Sequence, residues 1–207
     1  MQKDRELVAI LWDFDGVLID SESVRIAGFR EVLKGFPDDE VERLIKFHRA
    51  NGGLSRYVKF RYFFEEIRGE SVTEEEVMRL SGLFAAIMRE SLTSPQRLIA
   101  ETVEFVRRNH LRYPMHIVSG SDGEELRYLC GKLGIAAYFQ SIEGSPTPKN
   151  ELVRNLMAAS AYPPERCVLI GDSHNDREAA VLSGIPFVGY NNPDVETFSD
   201  FEIDFSG

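Results

Sequence analysis

The chain has 207 residues, 43% hydrophobic and 28% charged, which supports one folded domain with room for an insertion and excludes disorder, collagen-like repeats and coiled coil. Lys and Arg number 24 against 34 Asp and Glu, and the resulting charge of −10 argues against a nucleic-acid partner. The two cysteines, Cys130 and Cys167, lie among apolar residues without metal-ligand spacing, so they are expected as buried free thiols in a reducing compartment.

No run approaches the roughly 18 apolar residues of a membrane span. The start, MQKDRELVAILWDF, passes from charges into a short apolar run broken at Asp13, too short for a signal peptide. The expectation is a cytoplasmic protein without a membrane partner, a monomer or small homo-oligomer.

Residues 7–12 form the first unalternated apolar run, and it stops at Asp13. From Ser21 to Ser94 only helical patterns follow. Val41, Leu44, Ile45 and His48 share one face; Tyr57, Phe60, Phe64 and Ile67 share a second; Val77, Leu80, Phe84, Ile87 and Met88 share a third, opened by a Thr73–Glu76 capping box. Further apolar runs are Met115–Val118, Cys167–Ile170 and Pro186–Tyr190. Between them Leu126, Leu129, Cys130 and Leu133, then Leu152, Val153, Leu156 and Met157, recur with helical period. Short apolar runs alternating with helices predict a doubly wound, Rossmann-like parallel sheet. The helices of residues 21–94 are predicted to form an inserted cap on a core of residues 1–20 and 95–207. The acidic tail, Asn191 to Gly207, reads as a solvated end with a short edge strand near Phe201–Phe205.

Asp13, Ser119 and Asp172 each stand just beyond an apolar run, and in a parallel sheet such positions meet at the carboxyl edge where ligands bind. Asp13 and Asp15, two apart in extended chain, point the same way and repel, so they need a cation or a shared proton. A hard divalent ion satisfies them, with Asp172 as a further ligand, and Gly16 lets the chain turn after the pair. Ser121 and Glu124 read as a capping box, which starts a helix straight after Ser119-Gly120 and suits an anion such as phosphate. Lys149 follows Pro146-Thr147-Pro148 at a helix start, where a cation is unfavourable unless an anion lies nearby. Gly171-Asp172-Ser173-His174-Asn175-Asp176 precedes a helix Arg177–Ser183 ended by Gly184, with His174 as a loop residue.

These stretches resemble the four motifs of the haloacid dehalogenase superfamily. Asp13-Phe14-Asp15-Gly16-Val17-Leu18-Ile19-Asp20-Ser21 is similar to the first, Ser119 to the second, Lys149 to the third, and Gly171-Asp172 with Asp176 to the fourth. A helical insertion directly after the first motif resembles the phosphoglycolate phosphatase-like and β-phosphoglucomutase-like branch. The resemblance implies Asp13 as nucleophile and Asp15, protonated first, as general acid and then base. It implies phosphate binding by Ser119, Gly120 and Lys149, Mg²⁺ held by Asp13, the Asp15 carbonyl and Asp172, and Asp176 in support. An acid at position 15 favours an oxygen leaving group, hence a phosphatase acting on a small phosphorylated metabolite. A phosphomutase, or a non-catalytic phosphate-binding regulatory module, is the alternative.

Gly52-Gly53 breaks two helical patterns and predicts a tight turn between cap helices. Around it Arg49, Asn51, Ser55, Arg56 and Lys59 form a cationic, hydrogen-bonding cluster. Arg56 and Lys59 are expected on the helix side away from Tyr57, Phe60 and Phe64, free to leave the cap's core and recognise the non-phosphoryl part of a substrate, with His48 packed beneath.

Overall fold

The computed structural model describes residues 7–205; the charged start that entered the leader argument, residues 1–6, lies outside them. Five parallel strands form one sheet: β1 (Ala9–Trp12), β2 (Met115–Asp122), β3 (Ser141–Ser145), β4 (Cys167–Gly171) and β5 (Phe187–Gly189), in the order β3-β2-β1-β4-β5. Strand β1 is central, with Ile10 opposite both Met115 and Val168. Its residues alternate between two cores. Ile10 and Trp12 join Ile117, Val168 and Ile170 on one face, while Ala9 and Leu11 join Val118, Cys167 and Leu169 on the other. Burial on both faces is why the run does not alternate in polarity. It is a doubly wound α/β fold with a helical insertion.

The insertion comprises α1 (Glu22–Val32), α2 (Asp38–Ala50), α3 (Arg56–Tyr62) and α4 (Glu74–Ser91), all between β1 and β2. Thr73 caps α4 by accepting from the Glu76 N–H. Phe29, Phe60 and Phe84 pack ring against ring at the centre of these helices. The chain leaves and re-enters the sheet side by side: Asp20 N–H donates to Arg97 O, and Ile99 N–H to Leu18 O. After the insertion come α5 (Ala100–Asn109), α6 (Gly123–Lys132), α7 (Lys149–Ser160), α8 (His174–Leu182) and the single turn α9 (Pro193–Glu196).

One strand lies outside the expectations, and three local expectations are corrected. Strand β3, Ser-Ile-Glu-Gly-Ser, has one large apolar residue and is an edge strand, so it carries no apolar run. The cap of α6 is Asp122, accepting from Glu125 N–H, not Ser121; β2 runs on through a register shift between Val118 and Asp122, so the helix does not follow Ser119 directly. Helix α8 begins at His174 rather than Arg177, because Ser173 and Asp176 form a reciprocal capping box. The tail forms no strand at 201–205; Phe205 instead packs its ring on Trp12 and Phe105, so the end is pinned to the core by an aromatic contact.

Candidate active site

The carboxyl ends of β1, β2 and β4 deliver Asp13, Ser119 and Asp172 to one cavity of about 630 Å³, whose opposite wall comes from α1, α2 and α3. Asp13 is 2% exposed and accepts a hydrogen bond from Lys149 Nζ at 2.6 Å. Lys149, itself 3% exposed at the first turn of α7, also donates to Asp176. The conflict of a lysine at a helix start is thus resolved by two carboxylates. Burial alone would lower the Lys149 pKa, but Asp13 and Asp176 outweigh it and hold the ammonium charged.

Carboxyl oxygens of Asp13, Asp172 and Asp176 lie within 4.8 Å of one another. Asp176 is engaged, by Lys149 through one oxygen and by the Ser173 N–H and hydroxyl through the other. The Asp172 carboxyl, among the described residues, has no hydrogen-bond or ion-pair partner. Burial, then the neighbouring Asp13 and Asp176 charges, push Asp172 up to about 9; burial likewise raises Asp13, against the pull of Lys149. An unpartnered, half-buried carboxylate beside a second one fits a hard cation. A Cβ at position 16 would overlap Asp172 Oδ2, and Gly16 has φ +75°, so glycine is required twice over.

Asp15 is placed differently from its expected acid form. One oxygen accepts from the Ser21 hydroxyl and from Arg25 Nε at 2.6 Å; the other accepts from Ser121 Oγ at 2.5 Å. Burial would raise this carboxyl, but Arg25 and the two serines outweigh it and hold it below the ordinary range. In this arrangement Asp15 is a carboxylate, ready to accept a proton rather than to give one. Sequence reasoning missed Arg25, although a charge between Val24 and Ile26, four residues after Ser21, marks a helix face that cannot be wholly apolar.

The Ser119-Gly120-Ser121 segment lies in the irregular end of β2. Ser119 Oγ accepts from the Ser121 N–H at 3.2 Å and is 1% exposed. The Gly52-Gly53 turn sits directly on it: a Cβ on Gly120 would overlap the Gly53 carbonyl oxygen, which also accepts from Asn175 Nδ2 at 3.1 Å. Gly53 has φ +80°, so the turn demands its glycine. Asn175, which sequence reasoning passed over, therefore ties α8 to the cap turn. His174 is exposed at the start of α8.

The cap cluster is partly corrected. Asn51 donates to Phe47 O at the end of α2 and does not line the cavity. Arg49 lines it but is largely exposed, 3.7 Å from Glu22. Ser55 caps α3. Arg56 and Lys59, expected to face away from the aromatic side, are 6% and 4% exposed and point inward with Phe60 and Phe63. Positions 56, 59, 60 and 63 are spaced i, i+3, i+4 and i+7, one helical stripe, so the cations share the buried face. Arg56 lies 2.7 Å from Glu125, a fully buried carboxylate on α6 that also faces Arg25 at 3.5 Å. Tyr57 donates to Asp122 at 2.7 Å. His48 is buried beneath, as expected, and accepts from Lys59 Nζ at 2.8 Å.

A doubly wound sheet that gathers acidic side chains, a lysine and a serine at its carboxyl edge, beneath a helical insertion, defines a class of hydrolytic enzyme. The model of the haloacid dehalogenase-like hydrolases matches residues 10–190, and the chain belongs to that family. It is 25% identical to phosphoglycolate phosphatase 1 of Pseudomonas aeruginosa, over 88% of this chain and 70% of that protein. It is 28% identical to a 5'-nucleotidase of the same organism, over 87% and 80%. The fold is similar to that of a predicted phosphoglycolate phosphatase from Haemophilus somnus 129pt, with a TM-score of 0.73 and 20% identity over 97% of this chain and 96% of that one. Among the described residues no helix is long and apolar enough to cross a membrane.

Proposed function

We propose that this hydrolase is a Mg²⁺-dependent phosphatase that cleaves a small phosphorylated metabolite through an aspartyl-phosphate on Asp13. The observation that carries the reading is the pairing of a buried Asp13 with Lys149, beside an unpartnered Asp172, on the wall of one cavity. Asp13 and Asp172, with the Asp15 backbone carbonyl, would hold the metal, which supplies positive charge against the phosphoryl oxygens.

A carboxylate approaching a phosphate dianion is repelled by about 1 kcal/mol per charge pair at 4 Å even in water, and by more in a drier site. Lys149 offsets part of that repulsion, and Ser119 Oγ with the backbone N–H of Gly120 positions the phosphoryl group. An Asp13 carboxylate oxygen bonds to phosphorus as the ester oxygen departs. Asp15, ionised by its contact with Arg25, accepts the proton of the water that opens the intermediate. Protonating the leaving alkoxide in the first step requires an Asp15 that starts out protonated and freed from Arg25, so substrates with acidic leaving groups, which depart as anions, are favoured as the site stands. Asp176 fixes Lys149. Residues 21–94 act as a cap over a core of 1–20 and 95–207, with Arg49, Arg56 and Lys59 around the leaving-group end. The free thiols of Cys130 and Cys167 favour a reducing, cytoplasmic setting.

The test is phosphate release from p-nitrophenyl phosphate with and without Mg²⁺. Metal-dependent turnover abolished in Asp13→Asn supports the reading; turnover unaffected by that substitution overturns it.

A further inference from the structure

Three cations of the insertion face the cavity from buried positions: Arg25, Arg56 and Lys59. Two are neutralised. Arg25 pairs with Asp15 and Glu125, and Arg56 with Glu125. Lys59 is not. Among the described residues no carboxylate oxygen lies within 4 Å of its Nζ, and its one hydrogen-bond partner is His48 Nδ1. An ammonium only donates, so Nδ1 must accept, and His48 is neutral with its proton on Nε2, 3.2 Å from Glu22 Oε2. Burial keeps His48 in that neutral form. The imidazole thus steadies Lys59 without neutralising it, and two of the three ammonium protons remain for a ligand.

A buried charge without a counter-ion is costly, and an anion brought against it removes that cost. The cavity that Lys59 lines is the one holding Asp13 and Ser119, so the missing anion enters with the substrate. Resting on the phosphatase reading above, we propose that Lys59 binds a second acidic group of the substrate. The enzyme then selects phosphate esters bearing a carboxylate, or a further phosphate, close to the scissile bond over esters of neutral alcohols. This chemistry fits phosphoglycolate or pyrophosphate and not a nucleoside monophosphate. Burial and the nearby Arg25 charge push the free ammonium down to about 7, a burden that an anion against Nζ would lift.

The experiment compares 2-phosphoglycolate with 2-hydroxyethyl phosphate, which puts a neutral CH₂OH in place of the carboxylate, and with pyrophosphate and p-nitrophenyl phosphate, all in Mg²⁺. For wild type, kcat/KM for 2-phosphoglycolate or pyrophosphate is expected at least 10-fold above that for 2-hydroxyethyl phosphate, and which of the two is preferred tells carboxylate from phosphate. In Lys59→Met that ratio should fall about 10-fold or more, chiefly through KM, and Lys59→Arg should restore part of it. A circular dichroism spectrum like wild type certifies the fold of each variant, and Lys59→Gln, which also removes the charge, repeats the test should Met misfold. Asp13-dependent turnover with no preference for the acidic esters, or with a ratio unmoved in Lys59→Met, overturns the role of Lys59 alone. No Asp13-dependent turnover of any ester overturns the phosphatase reading and this assignment with it.

Discussion

Lys59 also makes a prediction about stability that needs no substrate. Its ammonium titrates near 7 in the fold against an ordinary 10.5. At about 1.4 kcal/mol per decade, protonated Lys59 costs the folded state about 5 kcal/mol, and the net cost is about 4 kcal/mol at pH 7, where half of it is already neutral. Because the folded value is the lower one, the unfolded chain binds more protons between pH 7 and 10.5. Stability therefore rises with pH across that window, and the penalty is fully present below it. The groups acting on Lys59 are Arg25, which lowers it further, and Asp15, Glu22 and Asp172, which pull it up. Lys59→Met keeps the length of the side chain and removes the charge, at the loss of the His48 hydrogen bond, about 1 kcal/mol. The unliganded variant should be more stable than wild type by about 2–3 kcal/mol at pH 7, roughly 5–10 °C in Tm for a chain of this size. At pH 9.5 the gain should shrink below about 1 kcal/mol. Urea unfolding of both proteins at the two pH values measures it. A variant less stable at pH 7, or a gain that does not change with pH, would refute the claim that Lys59 is an uncompensated buried cation.

Further outcomes follow from the acidic cluster and the cap turn. Asp13→Asn should lower kcat by several orders of magnitude while leaving thermal stability equal or higher, since a repulsive charge is gone; a tenth of wild-type activity remaining would count against Asp13 as nucleophile. Asp172→Ala should weaken Mg²⁺ activation so that excess metal restores part of the rate, and chelation should silence wild type reversibly; a chelator-insensitive rate would remove the metal from the scheme. Asp15→Asn should cost more for an alkyl phosphate than for a phenolic one, and no metal concentration should rescue it; equal losses would count against Asp15 as the general acid toward the leaving group. Asn175→Ala removes the side-chain bond to the Gly53 carbonyl and should raise KM several-fold with little change in melting temperature, whereas unchanged kinetics would leave that contact without a role in closing the cap turn.

The sheet and its acidic edge were legible because both depend on local signals: apolar runs that end at Asp13, Ser119 and Asp172, and helices with a clean period. What escaped the sequence depends on pairs distant along the chain. Strand β3 is defined by its ladder with β2, not by its own Ser-Ile-Glu-Gly-Ser composition. The state of Asp15 depends on Arg25 and Ser121, and the second of these lies more than a hundred positions away. Arg56 and Lys59 were legible as residues and misplaced in direction. Their charge suggested solvent, whereas the i, i+3, i+4, i+7 stripe with Phe60 and Phe63 places them inside. A periodic face is stronger evidence of burial than a charged side chain is evidence of exposure, provided a partner for the charge exists. For Arg56 the partner is Glu125, invisible before α6 and α3 are brought together.

On the sheet side of the cavity, burial and mutual repulsion raise Asp13 and Asp172; on the cap side, burial lowers Lys59. Both walls carry groups whose charged forms the free fold disfavours, and those charges are opposite in sign. They do not cancel each other, because the cavity between them keeps Lys59 beyond ion-pair distance of any carboxylate among the described residues. A doubly acidic ester alone would relieve the cap and aggravate the acids; a divalent cation alone would do the reverse. Metal and a doubly acidic ester together satisfy both walls, so each should bind more tightly in the presence of the other. This reciprocity is required thermodynamically once the two ligands share a field. It also gives selectivity an electrostatic basis: an ester of a neutral alcohol leaves Lys59 uncompensated in the cavity, and that residual penalty is what discriminates against it.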